Sequence, residues 1–139
     1  MKLNPYLHFP GTCEQAMNTY AKVLGGEIVA MLAYGDMPGD HPVPDDMRKK
    51  IAHARIMIGD EVLMASDAGP DRFEPMQGVS VTLNIPEQDE ADRVFKALSE
   101  GGTEIMPMME TFWAFKFGVF TDRFGTQWMV NCMKPEQQV

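Results

Sequence analysis

At 139 residues the chain has the length of one domain, able to bury roughly two-thirds of the surface its unfolded form exposes. Twenty acidic against 12 basic residues leave a net charge of −8, and the longest basic run is Arg48-Lys49-Lys50, too little for a phosphate-tracking surface, which excludes nucleic acid as a partner. Two cysteines, Cys13 and Cys132, make no disulfide framework, and no apolar run approaches membrane-spanning length, so a cytoplasmic protein with reduced thiols and no membrane partner is expected.

In chain order, residues 3–9 alternate as a strand, with Leu3, Leu7 and Phe9 in one phase and Asn4, Tyr6 and His8 in the other. A helix follows over 13–24, where Ala16, Met17, Tyr20, Val23 and Leu24 recur at helical spacing. Thr12 and Gln15 are placed as a capping box, and Gly25-Gly26 stops the helix. Runs 27–34, 51–58 and 61–67 read as strands. The segment "YGDMPGDHPVPDDMRKK" between the first two reads as a long loop without secondary structure, of the kind that forms lids. Its Asp36, Asp40 and His41 are candidate metal recruiters, although a solvated acidic loop is the competing reading.

Residues 68–78, "AGPDRFEPMQG", read as a linker. Beyond it, Val79, Val81, Leu83 and Ile85 oppose Ser80, Thr82 and Asn84, and a helix over 88–100 carries the stripe Ala91, Val94, Phe95 and Leu98 before Gly101-Gly102. Strands are predicted at 103–110, 114–121 and 126–132, with Gly118 marking a bulge or a close approach. "FPGTCEQAMNTYAKVLGGEIV" and "IPEQDEADRVFKALSEGGTEIM" are built alike, so the chain is a repeat of two βαβββ modules, 1–67 and 79–134. The predicted class is α+β, a curved, cup-shaped mixed sheet with helices on its outer face. In the last strand Trp128, Val130 and Cys132 belong to the helix side and Gln127, Met129 and Asn131 to the polar, concave side.

The paired modules and the stretches "CEQAMNTYAKVLGG", "YGDMP", "HARIMIGDEVLMASD" and "ETFWAFKFGVFTDRFGTQWMVNC" resemble the vicinal oxygen chelate superfamily, which includes glyoxalase I, fosfomycin-resistance enzymes and bleomycin-binding proteins. More narrowly they resemble its PhnB-like, or demethylubiquinone methyltransferase-like, branch. The resemblance spans the whole chain. It implies a single domain, a homodimer, and a divalent metal held by the first and last strand of each module, at positions that fall on or beside Asn4, Met64, Ser80 and Met129. None of these is an imidazole, thiolate or carboxylate, so the expectation is no metal and no cofactor.

The candidate ligand-binding residues are Tyr6, His8, His53, Met64, Thr82, Glu110, Trp113, Gln127, Met129 and Asn131. His8 suits acid–base work near neutral pH or a structural hydrogen bond. His53 and Arg55 share a strand phase and suit an anionic ligand or an exposed face. In "ETFWA", Glu110, Thr111 and Trp113 belong to the rim, where a tryptophan either stacks on a ligand or packs a core or dimer contact, whereas "FKFGVF" and "WMV" read as sheet. Cys13, at a helix start, has the position of a lowered thiol pKa but no base nearby, and reads as structural.

Two functions compete. One is a metal-independent binder whose cup holds an aromatic or cationic ligand, the acidic charge favouring a cation. The other is a metal-dependent enzyme acting on a small oxygenated metabolite or antibiotic. Methyl transfer lacks a glycine-rich strand-to-helix nucleotide loop.

Overall fold

Each half of the chain folds as a strand, a helix and three further strands, in a computed structural model that describes residues 1–40 and 42–136. The order is β1 (Tyr6–Phe9), α1 (Cys13–Leu24), β2 (Glu27–Ala33), β3 (Ile51–Ile58) and β4 (Glu61–Asp67), then β5 (Val81–Asn84), α2 (Gln88–Ser99), β6 (Thr103–Met109), β7 (Ala114–Thr121) and β8 (Gln127–Met133). The chain divides into two compact units, residues 1–75 and the part from Met76 onward. Each unit holds one four-stranded mixed sheet, ordered β1-β4-β3-β2 in the first and β5-β8-β7-β6 in the second. β1 runs parallel to β4 and β5 parallel to β8, and the remaining pairs are antiparallel. The fold is α+β, two βαβββ modules, as the sequence pattern predicts.

In the first module α1 lies on β3, β2 and β4 and buries Met17 and Tyr20 against Phe9 and Ile56; the rings of Phe9 and Tyr20 stand 6.5 Å apart. In the second, α2 lies on β7, β8 and β6, with Phe95 edge-on to Phe120 at 5.0 Å and Trp128 fully buried. Complete burial of side chains such as Ile56 or Phe120 contributes roughly 2–3 kcal/mol each. Gly118 is a close approach, where a Cβ would stand 2.5 Å from the Phe95 ring and 2.8 Å from Met108 Sδ, and it lies opposite the register shift of β6 between Met106 and Met109.

Several local expectations are corrected. Thr12 makes no side-chain cap on α1, and its hydroxyl is buried without a partner. The acceptor comes instead from Asp67 at the end of β4, whose Oδ1 takes the Gly11 and Cys13 amides at 3.0 and 2.9 Å while Oδ2 takes the Ile51 amide at 2.8 Å. An anion at the helix start serves both the orphan amides and the helix dipole. The Cys13 thiol is pushed up to about 12, first by burial and then by the Asp67 and Glu14 charges. Leu3 and Val79 are exposed, because the parallel pairing of β1 and β5 begins only at Tyr6 and Val81. The 34–50 segment is not featureless: 3-10 turns form at Tyr34–Asp36 and Asp45–Met47, and its base is tied by Tyr34 to Lys50 and Gly35 to Arg48 backbone bonds. His41 lies outside the described residues. No described helix is long and apolar enough to cross a membrane.

Candidate functional site

Strand alternation sends one face of each sheet to its helix and leaves the other open. In the second module the open face contains the row Thr82–Met129–Val119 and the row Asn84–Asn131–Phe117. Asn131 is buried at 6% exposure because its amide is claimed from both sides. Its Oδ1 accepts the Trp113 indole N–H at 3.1 Å, and its Nδ2 donates to Asn84 Oδ1 at 2.9 Å. The flip state of both amides follows from this chain, since Nε1 of tryptophan is only a donor.

Around the indole stand two further rings, Phe112 at 4.9 Å and Phe117 at 5.2 Å, both edge-on. The turn that presents Trp113 is tied internally, by Thr111 N–H to Ala114 O and Ala114 N–H to Thr111 Oγ1, each 3.0 Å. It is tied externally by Lys134, whose amide donates to Trp113 O at 2.8 Å and whose ammonium pairs with Glu110 at 2.8 Å. That hydrogen bond and its charge hold the Glu110 carboxyl below its ordinary range. Thr82, Asn84, Phe112, Trp113, Phe117 and Asn131 together line an open pocket of about 370 Å³, within the size range of small-ligand sites.

Of the residues expected in this module, Thr82, Trp113 and Asn131 meet in the pocket and Met129 neighbours Thr82 in register. Glu110 stands in the turn. The Gln127 amide donates instead to Met76 O at 2.7 Å. Asn84, Phe112 and Phe117 line the pocket without having been singled out. Asn84 and Phe117 carried a signal, since Asn84 shares the phase of Thr82 and Phe117 the phase opposite to Phe120. The turn "TDRFGTQW" is architectural: Asp122 Oδ1 accepts the Phe124 and Thr126 amides, each at 2.9 Å, and Oδ2 accepts the Trp128 indole N–H at 2.8 Å.

In the first module the open face carries the row Tyr6–Met64–Arg55. His53 and Arg55 flank Ala54, which is buried on the helix side, so both belong to the open side. The Tyr6 hydroxyl and His53 Nδ1 stand 3.2 Å apart, with the rings stacked at 5.8 Å, and the ring of His8, two residues along β1, lies 5.3 Å from that of Tyr6. Tyr6, His8, His53 and Met64 are thus brought together.

The positions opposite Met64 and Met129 are Tyr6 and Thr82, not Asn4 and Ser80, which precede the paired strands. A phenol, a hydroxyl and two thioethers offer no charge and only weak donors, and do not fit a divalent metal. Among the described residues no group of three His, Cys, Asp or Glu side chains is placed to hold one.

Comparison with known proteins places the chain among relatives along nearly its whole length. A family model described as 3-demethylubiquinone-9 3-methyltransferase matches residues 1–131. Protein YjdN of Escherichia coli K12 is 35% identical over 98% of both chains. The crystal structure of protein PA1353 from Pseudomonas aeruginosa matches with a TM-score of 0.87 and 48% identity, over 96% of this chain and 98% of that one. At the level of fold alone, the fosfomycin resistance protein FosX of Listeria monocytogenes matches with a TM-score of 0.65 and 8% identity, over 100% of this chain and 97% of that one.

Proposed function

The chain belongs to the 3-demethylubiquinone-9 3-methyltransferase family, the PhnB-like branch of the vicinal oxygen chelate superfamily, and from that membership we propose that it is a small-molecule-binding protein without the superfamily's divalent metal. The observation that carries the reading is the hydrogen-bonded chain Trp113–Asn131–Asn84. It holds an indole in place beneath two edge-on phenyl rings, at the wall of a pocket of about 370 Å³. Fixed aromatic walls offer stacking area at little entropic cost, and the exposed Asn84 and Thr82 supply the few polar contacts that orient a ligand.

The ligand is a small organic molecule with a planar, unsaturated portion that lies against Trp113. Met129, in register with Thr82, belongs to the same reading as an adaptable wall. The protein acts in the cytoplasm as one domain of two modules. A homodimer is part of the proposal, supported by exposed apolar side chains on the edge strands, Ile28, Val29 and Leu32 on β2 and Ile105, Met106 and Met109 on β6.

The test is a thermal-shift screen of small aromatic compounds against the purified protein, with elemental analysis of the same sample. Hits whose stabilisation is lost in W113A, in protein holding no stoichiometric metal, support the reading. Hits that W113A retains, or one bound metal per chain required for any hit, refute it.

A further inference from the structure

We infer that the open face of the first module's sheet is an oxyanion subsite, in which Arg55, His53 and His8 hold a carboxylate or phosphate group of a small molecule and Tyr6 orients His53. The starting observation is Arg55, which is half-buried yet pairs with no carboxylate among the described residues. In a chain with 20 acids and 12 bases a partner for a guanidinium is easy to supply, and a partly desolvated charge without one is held at a cost. On this face the strand register offers none. Arg55 is in line with Met64, Tyr6 and Ala30, and the one carboxylate nearby in register, Glu27 opposite Met57, forms no ion pair with it.

The neighbouring groups point the same way. The Tyr6 ring lies within 5.3 Å of His8 and 5.8 Å of His53, and its hydroxyl is 3.2 Å from His53 Nδ1. When the phenol donates to Nδ1, the imidazole carries its proton on Nε2 and presents that N–H as a second donor. The face therefore gathers a guanidinium fork and imidazole N–H groups as donors, with the Tyr6 hydroxyl spent on Nδ1 to hold that tautomer and uncharged Met64 between Tyr6 and Arg55. Arginine's planar fork matches the two oxygens of a carboxylate or phosphate, and charge-assisted bonds of this kind dominate oxyanion recognition. The inference stands on the first module and does not rest on the aromatic pocket proposed above.

The experiment titrates inorganic phosphate, and separately acetate, into the full chain at ionic strength held constant with chloride, following the ring Cε1–H resonances of His8 and His53 by NMR. Saturable shifts at His53 and His8 are expected. R55M should weaken them at least about tenfold, and R55K should fall between because it keeps charge but loses the fork. Tighter phosphate assigns a phosphate group, tighter acetate a carboxylate. The absence of saturable shifts, a response that chloride alone reproduces, or a shift confined to the Trp113 indole overturns the inference. Y6F and H53Q alter partly exposed groups only, so unchanged affinity in both overturns it even where R55M is too unstable to assay.

Discussion

Replacing Asn131 with alanine removes both links of the amide chain at once. The side chain is buried at 6% exposure and makes two hydrogen bonds, 3.1 Å from the Trp113 indole and 2.9 Å to Asn84. Each such bond nets about 1 kcal/mol. Asn84 is exposed and regains water when its partner goes, whereas the indole N–H of half-buried Trp113 is left facing a small void. The expected loss is about 2 kcal/mol, which for a chain of this size lowers the melting temperature by roughly 6–8 °C. Amide-detected NMR reads the cause separately from the cost. The protein has two tryptophans, hence two indole N–H signals, and W113F assigns them. In N131A the Trp113 signal should move and exchange faster with solvent, while the Trp128 signal, held by Asp122 at 2.8 Å, stays in place. An unmoved Trp113 signal together with a stability change under about 0.5 kcal/mol would refute the claim that Asn131 fixes the indole.

Asp67→Asn should cost about 3 kcal/mol, because a carboxamide must turn an N–H group toward at least one of the three backbone amides that Asp67 now accepts; urea denaturation checks it, and a loss below about 1 kcal/mol contradicts the capping role. Gly118→Ala should destabilise by about 1–3 kcal/mol through the clash with Phe95 and Met108, measured in the same way. Cys13, with its thiol raised to about 12, should resist alkylation at pH 8 in the folded protein and react once unfolded, as mass spectrometry can show. The raised folded value has a sign: its contribution to stability is complete below about pH 9 and is lost as pH climbs toward 12, by at most about 4 kcal/mol. C13A should therefore flatten the alkaline limb of a stability–pH curve, and an unchanged limb would contradict the burial of the thiol.

The repeat was legible because it is written in local signals. Gly25-Gly26 and Gly101-Gly102 end the two helices, and the change from helical to alternating spacing separates each helix from its strands. The cap of α1 was not legible, since its acceptor, Asp67, is 54 residues from the Cys13 amide it binds, and sequence proximity favoured Thr12 instead. Leu3 and Val79 continue an alternating pattern beyond the point where a partner strand exists, which alternation alone does not reveal. For the candidate site, the "ETFWA" turn stood out by composition, and the phase of Asn131 was correct. Phe117 was absorbed into an aromatic run that reads as sheet, although the run divides between faces: Phe120 is fully buried on the helix side and Phe117 borders the pocket. The link from Asn84 through Asn131 to Trp113 depends on the register of β5 with β8 and on a rotamer, neither of which a single sequence encodes visibly.

The most direct test of the central claim is a two-dimensional NMR titration of the isotopically labelled protein, treated with a chelator, with the tightest compound from the aromatic screen. The account predicts saturable shifts centred on the Trp113 indole and the side-chain amides of Asn84 and Asn131, with an affinity that added zinc, nickel or manganese leaves unchanged. Shifts that spare these three groups, or binding that appears only when a divalent metal is restored, would contradict it.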